Sequence, residues 1–581
     1  MINLFGTGIG KHIAIGRAYV LQGYKPSIEQ KTIESNQVNA EIKRLQKALA
    51  KARQQLNKNK EQIPEESPIE AQTIIDAHLL MLNDPMLVDE TIHLIQNDLC
   101  SAETAVDKNA QSLMAIFNAM DDPYLRNKTN DVNHLTNLIL RALLNIKDHS
   151  LSDVQQDQLT KKIIVSNDIG PSEAVHLTNK KIASFITDLG GPISHTALIA
   201  KSMSIPAIVG LENATQFIRD NDLLVIDAEQ GSVLVNPDEA TIAAYKKRRN
   251  RLKQEERELK RLIENHSTIR QGQIIELLAN IEQPKEINHA KKVRADGIGL
   301  FRTEYLFMDR DQLPSEKEQF SAYKRVVRNM GKPVTIRTID IGADKQLTKN
   351  AMSANQLDTS RHSALGLRAI RLCLQNRELF IPQLRSILRA SAFGKTALMI
   401  PMLSHIEELN QVLTLIDETK KELRQNNVKF DSRIKIGAMI EVPSAAINAN
   451  AFAKRLDFLS IGSNDLIQYT MAIDRVDQAV NYLYDPLNPA VLQLIKMTIE
   501  AGNRANIPVS LCGEMAANPD YTRLLIGLGL RTFSTDSSSL LAIKKQVLHT
   551  DLDQLNNLVT AILNCHDPLQ SRTLLMELNE L

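Results

Sequence analysis

Along this chain the spacing of apolar residues changes character several times. Residues 1–30 carry short apolar runs, Ile13-Ala14-Ile15-Gly16 and Ala18-Tyr19-Val20-Leu21, of the strand type. From about Asn36 to Lys147 the spacing turns helical, in EIKRLQKALAKARQQLNKN, EAQTIIDAHLLMLNDPMLVDETIHLIQNDL and DVNHLTNLILRALLNI. That predicts two long helical hairpins broken at Pro64, Pro68 and Pro85. Short strands return at Ile163–Val165, Ala183–Ile186, Ile208–Val209, Leu224–Ile226 and Val233–Val235. The two β-rich stretches, 1–30 and 148–236, then make one α/β domain, with the helical block 31–147 inserted into it. From Pro237 to His266 the chain is dense in charge of both signs (KKRRNRLKQEERELKRLIENH), which fits a solvated connecting helix and not a nucleic-acid patch. We take 237–268 as that linker and Gly231–Pro237 as a hinge.

Beyond residue 269 the pattern is regular. Eight strand-like runs alternate with helical segments: Ile274–Asn280, Gly297–Arg302, Val334–Arg337, Ala397–Met402, Ile434–Glu441, Phe458–Ile461, Val509–Cys512 and Thr532–Ser534. Eight β/α units in 269–581 predict a C-terminal (β/α)₈ barrel, a fold of about 250 residues before insertions.

Composition narrows the class. At 581 residues, with 43% hydrophobic residues, the chain is long enough for several packed domains. Lys+Arg number 69 against 68 Asp+Glu, so no net field recruits nucleic acid or a membrane surface. Cys100, Cys373, Cys512 and Cys565 lie far apart, which argues against a disulfide framework or a structural zinc site and fits a reducing compartment. There is neither a signal-peptide core nor a run approaching the ~18 apolar residues of a membrane span. The expectation is a cytoplasmic protein.

The candidate chemistry lies in two places. Gly190-Gly191-Pro192 marks a sharp turn, and Ser194 and Thr196 are N-cap types ahead of Ala197-Leu198-Ile199-Ala200. His195 therefore falls in the first turn of a helix, where free N–H groups and the dipole favour a neutral, nucleophilic imidazole and welcome an anion. In the barrel, Asn280, Arg302, Arg337, Glu441, Ser463-Asn464-Asp465 and Cys512 sit at or just past strand ends, where barrel active sites form. Arg302 and Arg337, with Arg475 after the sixth strand, offer planar forks for phosphate or carboxylate. Glu441 and Asp465 are hard oxygen ligands suited to Mg²⁺. Cys512 is either a proton donor to a developing enolate or an inert buried thiol.

These segments, in this order, resemble Enzyme I of the bacterial phosphotransferase system over nearly the full length. The resemblance is carried by GGPISHTALIAKSMSIPAIVG, DGIGLFRTEYLFMDR, TIRTIDIGADK, RASAFGK, GAMIEVPSAA, FLSIGSNDLIQYTMAIDR and LCGEMA. It implies that His195 is phosphorylated through Nε2, that Arg302, Arg337, Asn464, Asp465 and Arg475 hold phosphoenolpyruvate, and that Glu441 and Asp465 hold Mg²⁺. Cys512 would protonate the enolate to release pyruvate. The helical block would dock the phosphocarrier HPr, Asp131 would pair with the histidine, and the barrel would form a homodimer. Reaction at His195 demands approach of reacting atoms to about 3–3.5 Å, so the domain carrying it would have to swing.

Four positions depart from the family pattern. Ile193 replaces a threonine, Ala343 replaces a glycine, the loop 346–363 is longer, and FSTDSSSL ends the eighth strand differently. Two other readings compete. Related phosphohistidine enzymes add a large ATP-binding domain for which this chain has no room. A phosphorylation-dead scaffold would not need His195, Glu441, Asp465 and Cys512 together.

Overall fold

In the computed structural model, Ile2–Phe5 (β1) and Thr7–Ile9 (β2) are separated only by Gly6, yet they lie at opposite edges of one sheet. The sheet also contains β3 (Ile13–Val20), β4 (Ile163–Ser166), β5 (Ser184–Thr187), β6 (Ala207–Val209), β7 (Leu223–Asp227) and β8 (Ser232–Val235), in the order β1-β8-β7-β3-β4-β5-β6-β2. β3 through β6 are parallel, and the outer pairings are antiparallel. Gly6 N donates to Gly231 O at 2.9 Å, extending the β1–β8 pairing by one residue before the chain passes on to β2, and the continuous chain thereby stitches the two edges together. The approach is too close for side chains: a Cβ on Gly8 would stand 1.9 Å from Ala228 O, and one on Gly231 (φ +65°) 2.2 Å from Gly6 O. The structure describes residues 2–10, 12–21, 30–61, 69–119, 123–145, 159–169, 182–191, 196–197, 200, 205–308, 312–341, 365–475, 477 and 479–581.

Two compact units divide the chain, Met1–Glu255 and Glu256–Leu581. In the first, the described residues of the inserted block form five α-helices: α1 (Val38–Glu61), α2 (Ile69–Met81), α3 (Pro85–Asn97), α4 (Ala102–Asn118) and α5 (Pro123–Leu143). The apolar stripes of these helices close a core of their own around Leu45, Leu49, Ile95, Leu135 and Ile139. Pro85 does not merely interrupt a helix. It opens α3 at the first helical position, behind Asp84, whose carboxylate caps Met86 N at 2.8 Å. The two-hairpin expectation also missed α4, whose buried face is built mostly of small residues such as Ala102, Ala105 and Ala110.

The hinge expectation over Gly231–Pro237 is not met. Ser232–Val235 is paired on both sides, to β1 and to β7. The connecting helix Glu239–Arg261 is also tied to this sheet in its first half. Tyr245 and Leu252 pack against Ile13, Val225 and Leu234, while Arg248 donates to buried Asp227 and, at 3.0 Å, to Glu229.

The second unit is a closed, all-parallel barrel of β9 (Glu276–Ile281), β10 (Ile298–Phe301), β11 (Val334–Arg337), β12 (Thr396–Ile400), β13 (Lys435–Ile440), β14 (Phe458–Ile461), β15 (Val509–Leu511) and β16 (Thr532–Thr535). β16 pairs back onto β9, with Phe533 opposite Leu277, and closes the ring. All eight strands fall on the predicted runs, with ends that differ by a residue or two. Among the described residues, no helix is long and apolar enough to cross a membrane.

Candidate active site

A cleft of about 290 Å³ opens at the C-terminal ends of the barrel strands. Arg302, Arg337, Glu441, Asn464, Asp465, Arg475 and Cys512 all line it, so seven residues spread over 211 positions of sequence reach one mouth. Four further charged lining residues escaped the sequence reading: Glu282, Glu304, Asp340 and Arg368. Glu304 and Asp340 sit two and three residues beyond Arg302 and Arg337, where the strand-end rule could have found them. Arg368 precedes the helix Ala369–Gln375, with no local pattern to mark it.

The arginines divide into a fixed pair and a freer pair. Arg337 is buried; its Nη2 donates to Glu304 Oε1 at 2.9 Å, and its Nη1 lies 3.3 Å from Asp340 Oδ2. Burial works against its charge, but Glu304, Asp340 and Glu441 outweigh it and hold the guanidinium above its ordinary range. Arg368 donates to Asp340 Oδ1 at 2.9 Å and to Tyr469 Oη at 3.3 Å. Arg302 is more open, bonded to Glu282 Oε1 at 2.6 Å on a side chain that is also exposed, so an incoming anion could compete for it. Arg475 is half-buried at the rim.

Against the fixed pair lies a carboxylate cluster that shares Asp340 with it. One oxygen each from Asp340, Glu441 and Asp465 falls within 4.8 Å of the others. Glu441 is fully buried; Oε1 accepts from Met402 N at 2.7 Å, while Oε2 is buried without a hydrogen-bond partner. Burial, then Asp465 and Asp340, push its carboxyl well above the usual carboxylate range. A buried oxygen with no donor, facing two more hard oxygens, is what a small divalent cation would satisfy, so the donor set fits one.

Cys512 follows β15 and is buried. Its Sγ accepts from Ser460 Oγ at 3.2 Å, and burial above all pushes its thiol up to about 11, so it carries its proton at neutral pH. Asn464, in the first turn of the helix Ser463–Met471, exchanges two bonds with Glu514: Nδ2 donates to Oε1 at 2.9 Å, and Oδ1 accepts from the Glu514 N–H at 2.7 Å. Asn280 does not join the cleft. Its Nδ2 donates to the carbonyls of Cys512 and Ser534 at 3.1 and 3.2 Å, which makes it a brace inside the barrel.

In the first unit, Gly190 takes φ +109°, as the turn reading of the glycine pair requires. His195 and Ile193 lie outside the described residues, as do Ala343 and the loop 346–363. Beside His195, Thr196 is helical, and its hydroxyl donates to Asp168 Oδ1 at 3.1 Å. Asp131 is buried, with Oδ1 3.2 Å from Nε2 of His78, whose ring stacks on His134 at 5.3 Å.

Family models match the chain in three successive stretches. Residues 5–128 match the N-terminal domain of PEP-utilising enzymes, 159–231 their mobile domain, and 256–552 their PEP-binding domain. The barrel with its arginine and carboxylate mouth is thus that of a PEP-utilising enzyme. Among full-length relatives, the phosphoenolpyruvate-protein phosphotransferase of Cupriavidus necator is 41% identical over 99% of both chains. That of Geobacillus stearothermophilus is 38% identical over 94% of this chain and 92% of its own. The chain belongs to the phosphoenolpyruvate-protein phosphotransferase family. A solution structure of an Enzyme I protein is 33% identical, covering 43% of this chain and 99% of its own with a TM-score of 0.37.

Proposed function

We propose that the protein transfers the phosphoryl group of phosphoenolpyruvate to Nε2 of His195 and then to a histidine of the phosphocarrier HPr, releasing pyruvate as the first step of the phosphotransferase system. The observation that carries this reading is the barrel mouth, where four arginines face three clustered carboxylates beside a protonated thiol.

Phosphoryl transfer needs position and charge neutralisation more than covalent help. Arg302 and Arg475 take the incoming anion, and Arg337, fixed by Glu304, sets the plane in which phosphate and carboxylate lie. Glu441 and Asp465, with Asp340 beside them, would hold Mg²⁺, which supplies charge neutralisation at the phosphate when bound. The ester P–O bond breaks as the P–N bond to His195 forms. The enolate then takes the Cys512 proton at its terminal carbon and leaves as pyruvate, and the thiolate recovers a proton from solvent. In the helical block, Leu80 and Met86 are 72% and 57% exposed near the α2–α3 junction, which supports that block as the HPr platform. A homodimer through the barrel and a cytoplasmic setting complete the proposal.

The test is incubation with Mg²⁺ and ³²P-labelled phosphoenolpyruvate beside a His195→Ala variant. Acid-labile label on the wild type alone, passed on to added HPr, is expected. No label on either protein would remove the relay and leave a scaffold.

A further inference from the structure

Ser460 and Ser510 occupy the same register on the neighbouring parallel strands β14 and β15, so their side chains emerge next to each other. Cys512 follows two residues after Ser510, on the same face. The three polar atoms form one line. Ser510 Oγ donates to Ser460 Oγ at 3.0 Å, and Ser460 Oγ donates to Cys512 Sγ at 3.2 Å. With its oxygen accepting from Ser510, the single proton of Ser460 is directed at the sulfur. The thiol's own proton faces the Ile461 carbonyl, 3.6 Å away.

The surroundings make this donor matter. Cys512 packs with Leu300, Met399 and Met439 in an apolar layer of the barrel interior, and Ser460 has no exposed surface. Arg337 and Arg302 act on that sulfur through space, but Ser460 is the group that gives it a hydrogen bond, and a charge in such a layer without one is costly. A hydroxyl on a rigid strand, already aimed at the sulfur, needs no rearrangement when the charge appears.

We infer that Ser460 is a positioning residue for proton donation by Cys512, oriented in turn by Ser510. The inference rests on the reading of Cys512 as the donor. When the S–H bond breaks and the enolate carbon gains that proton, the Ser460 hydroxyl remains whole and its hydrogen bond to sulfur shortens onto a thiolate. After pyruvate leaves, a solvent proton restores the thiol. Neither serine enters the covalent balance.

The experiment uses the full chain with Mg²⁺, phosphoenolpyruvate and HPr, and compares wild type with Ser460→Ala, Ser510→Ala and Cys512→Ala. Three quantities are read: pyruvate release, KM for phosphoenolpyruvate, and the rate at which iodoacetamide alkylates Cys512 at one mildly alkaline pH. Ser460→Ala should release pyruvate about tenfold more slowly at unchanged KM, the scale of one hydrogen bond to a charged group. Its Cys512 should also alkylate more slowly, because the thiolate has lost its donor, and Ser510→Ala should shift both rates the same way by less. Wild-type values of both rates in Ser460→Ala, with Cys512→Ala inactive, would overturn the positioning role alone. Slow release with unchanged alkylation would also overturn it, since a packing defect would suffice. Wild-type release by Cys512→Ala would overturn the donor reading itself. If Ser460→Ala does not fold, Ser510→Ala carries the same comparison.

Discussion

Arg337 is gripped by Glu304 through the same oxygen that fixes the backbone beyond it. Glu304 Oε1 accepts from Arg337 Nη2 at 2.9 Å and from the Asp340 N–H at 2.8 Å. One buried carboxylate thereby aims a cation and holds the turn that carries a candidate metal ligand.

Removing that carboxylate should act on both. Glu304→Ala is expected to lose about 3 kcal/mol of stability, the scale of breaking a buried ion pair from one side. Glu304→Gln keeps an acceptor for the Asp340 N–H and should lose less. Urea unfolding measures the stabilities, and a titration with phosphoenolpyruvate should show weaker binding in both variants. Wild-type affinity in Glu304→Ala would mean that Arg337 needs no such support.

Glu441 should behave as a residue kept for a ligand and not for stability. Without added metal, Glu441→Gln is expected to melt at or above the wild-type temperature, because it removes a fully buried carboxylate whose Oε2 lacks a partner. Mg²⁺ should raise the melting temperature of the wild type and leave that of Glu441→Gln unchanged. An equal rise in both proteins would place the cation elsewhere.

The helical block should be acid-sensitive through His134. Burial first, and then His78, push His134 down to about 4 from an ordinary 6.5. Between those values the unfolded chain binds more protons than the folded one. Stability therefore rises with pH across this window and is lost as pH falls through it, by on the order of 3 kcal/mol. Asp131 opposes the shift and Arg141 reinforces it. Amide exchange over Val132–Leu143, followed from neutral pH downward, should accelerate in the wild type and stay flatter in His134→Phe.

Gly8→Ala probes the edge-to-edge stitch of the α/β sheet. The new Cβ would lie 1.9 Å from the Ala228 carbonyl oxygen, a backbone atom that cannot rotate away. The expected loss is about 3 kcal/mol, at the upper end for overpacking. Fast exchange at Thr7–Ile9 and Ala207–Val209 in the variant would locate the damage at the β2–β6 edge.

The barrel was legible because eight apolar runs alternate with helical segments, and six of them stop at or just before a potentially reactive side chain, so one pattern marks both the fold and its mouth. Glu304 and Asp340 are less legible, because they lie two and three residues past Arg302 and Arg337, which already account for the polar ends of their strands. Arg368 was not legible: it arrives from a helix start 31 positions after Arg337, and only the folded barrel brings it beside Asp340. Helix α4 escaped for a different reason, since alanines can line a buried face without producing a strong apolar stripe. Nor does any residue near Gly6 announce that β1 and β2 belong to opposite edges. That depends on Gly8 and Gly231 allowing a backbone approach whose meaning appears only once the sheet is assembled.

The stitch at Gly6 also sets an order of events on the ribosome. β1 needs β8, which ends at Val235, and β2 needs β6, which ends at Val209, so neither of the first strands synthesised can complete its pairing until the chain has reached at least Val209. The helices between them wait for nothing beyond Leu143, where α5 ends and their separate core is complete. During translation the inserted block can fold while the strands that precede it still hang unpaired, and the opening of the message is the last part of its unit to find its place.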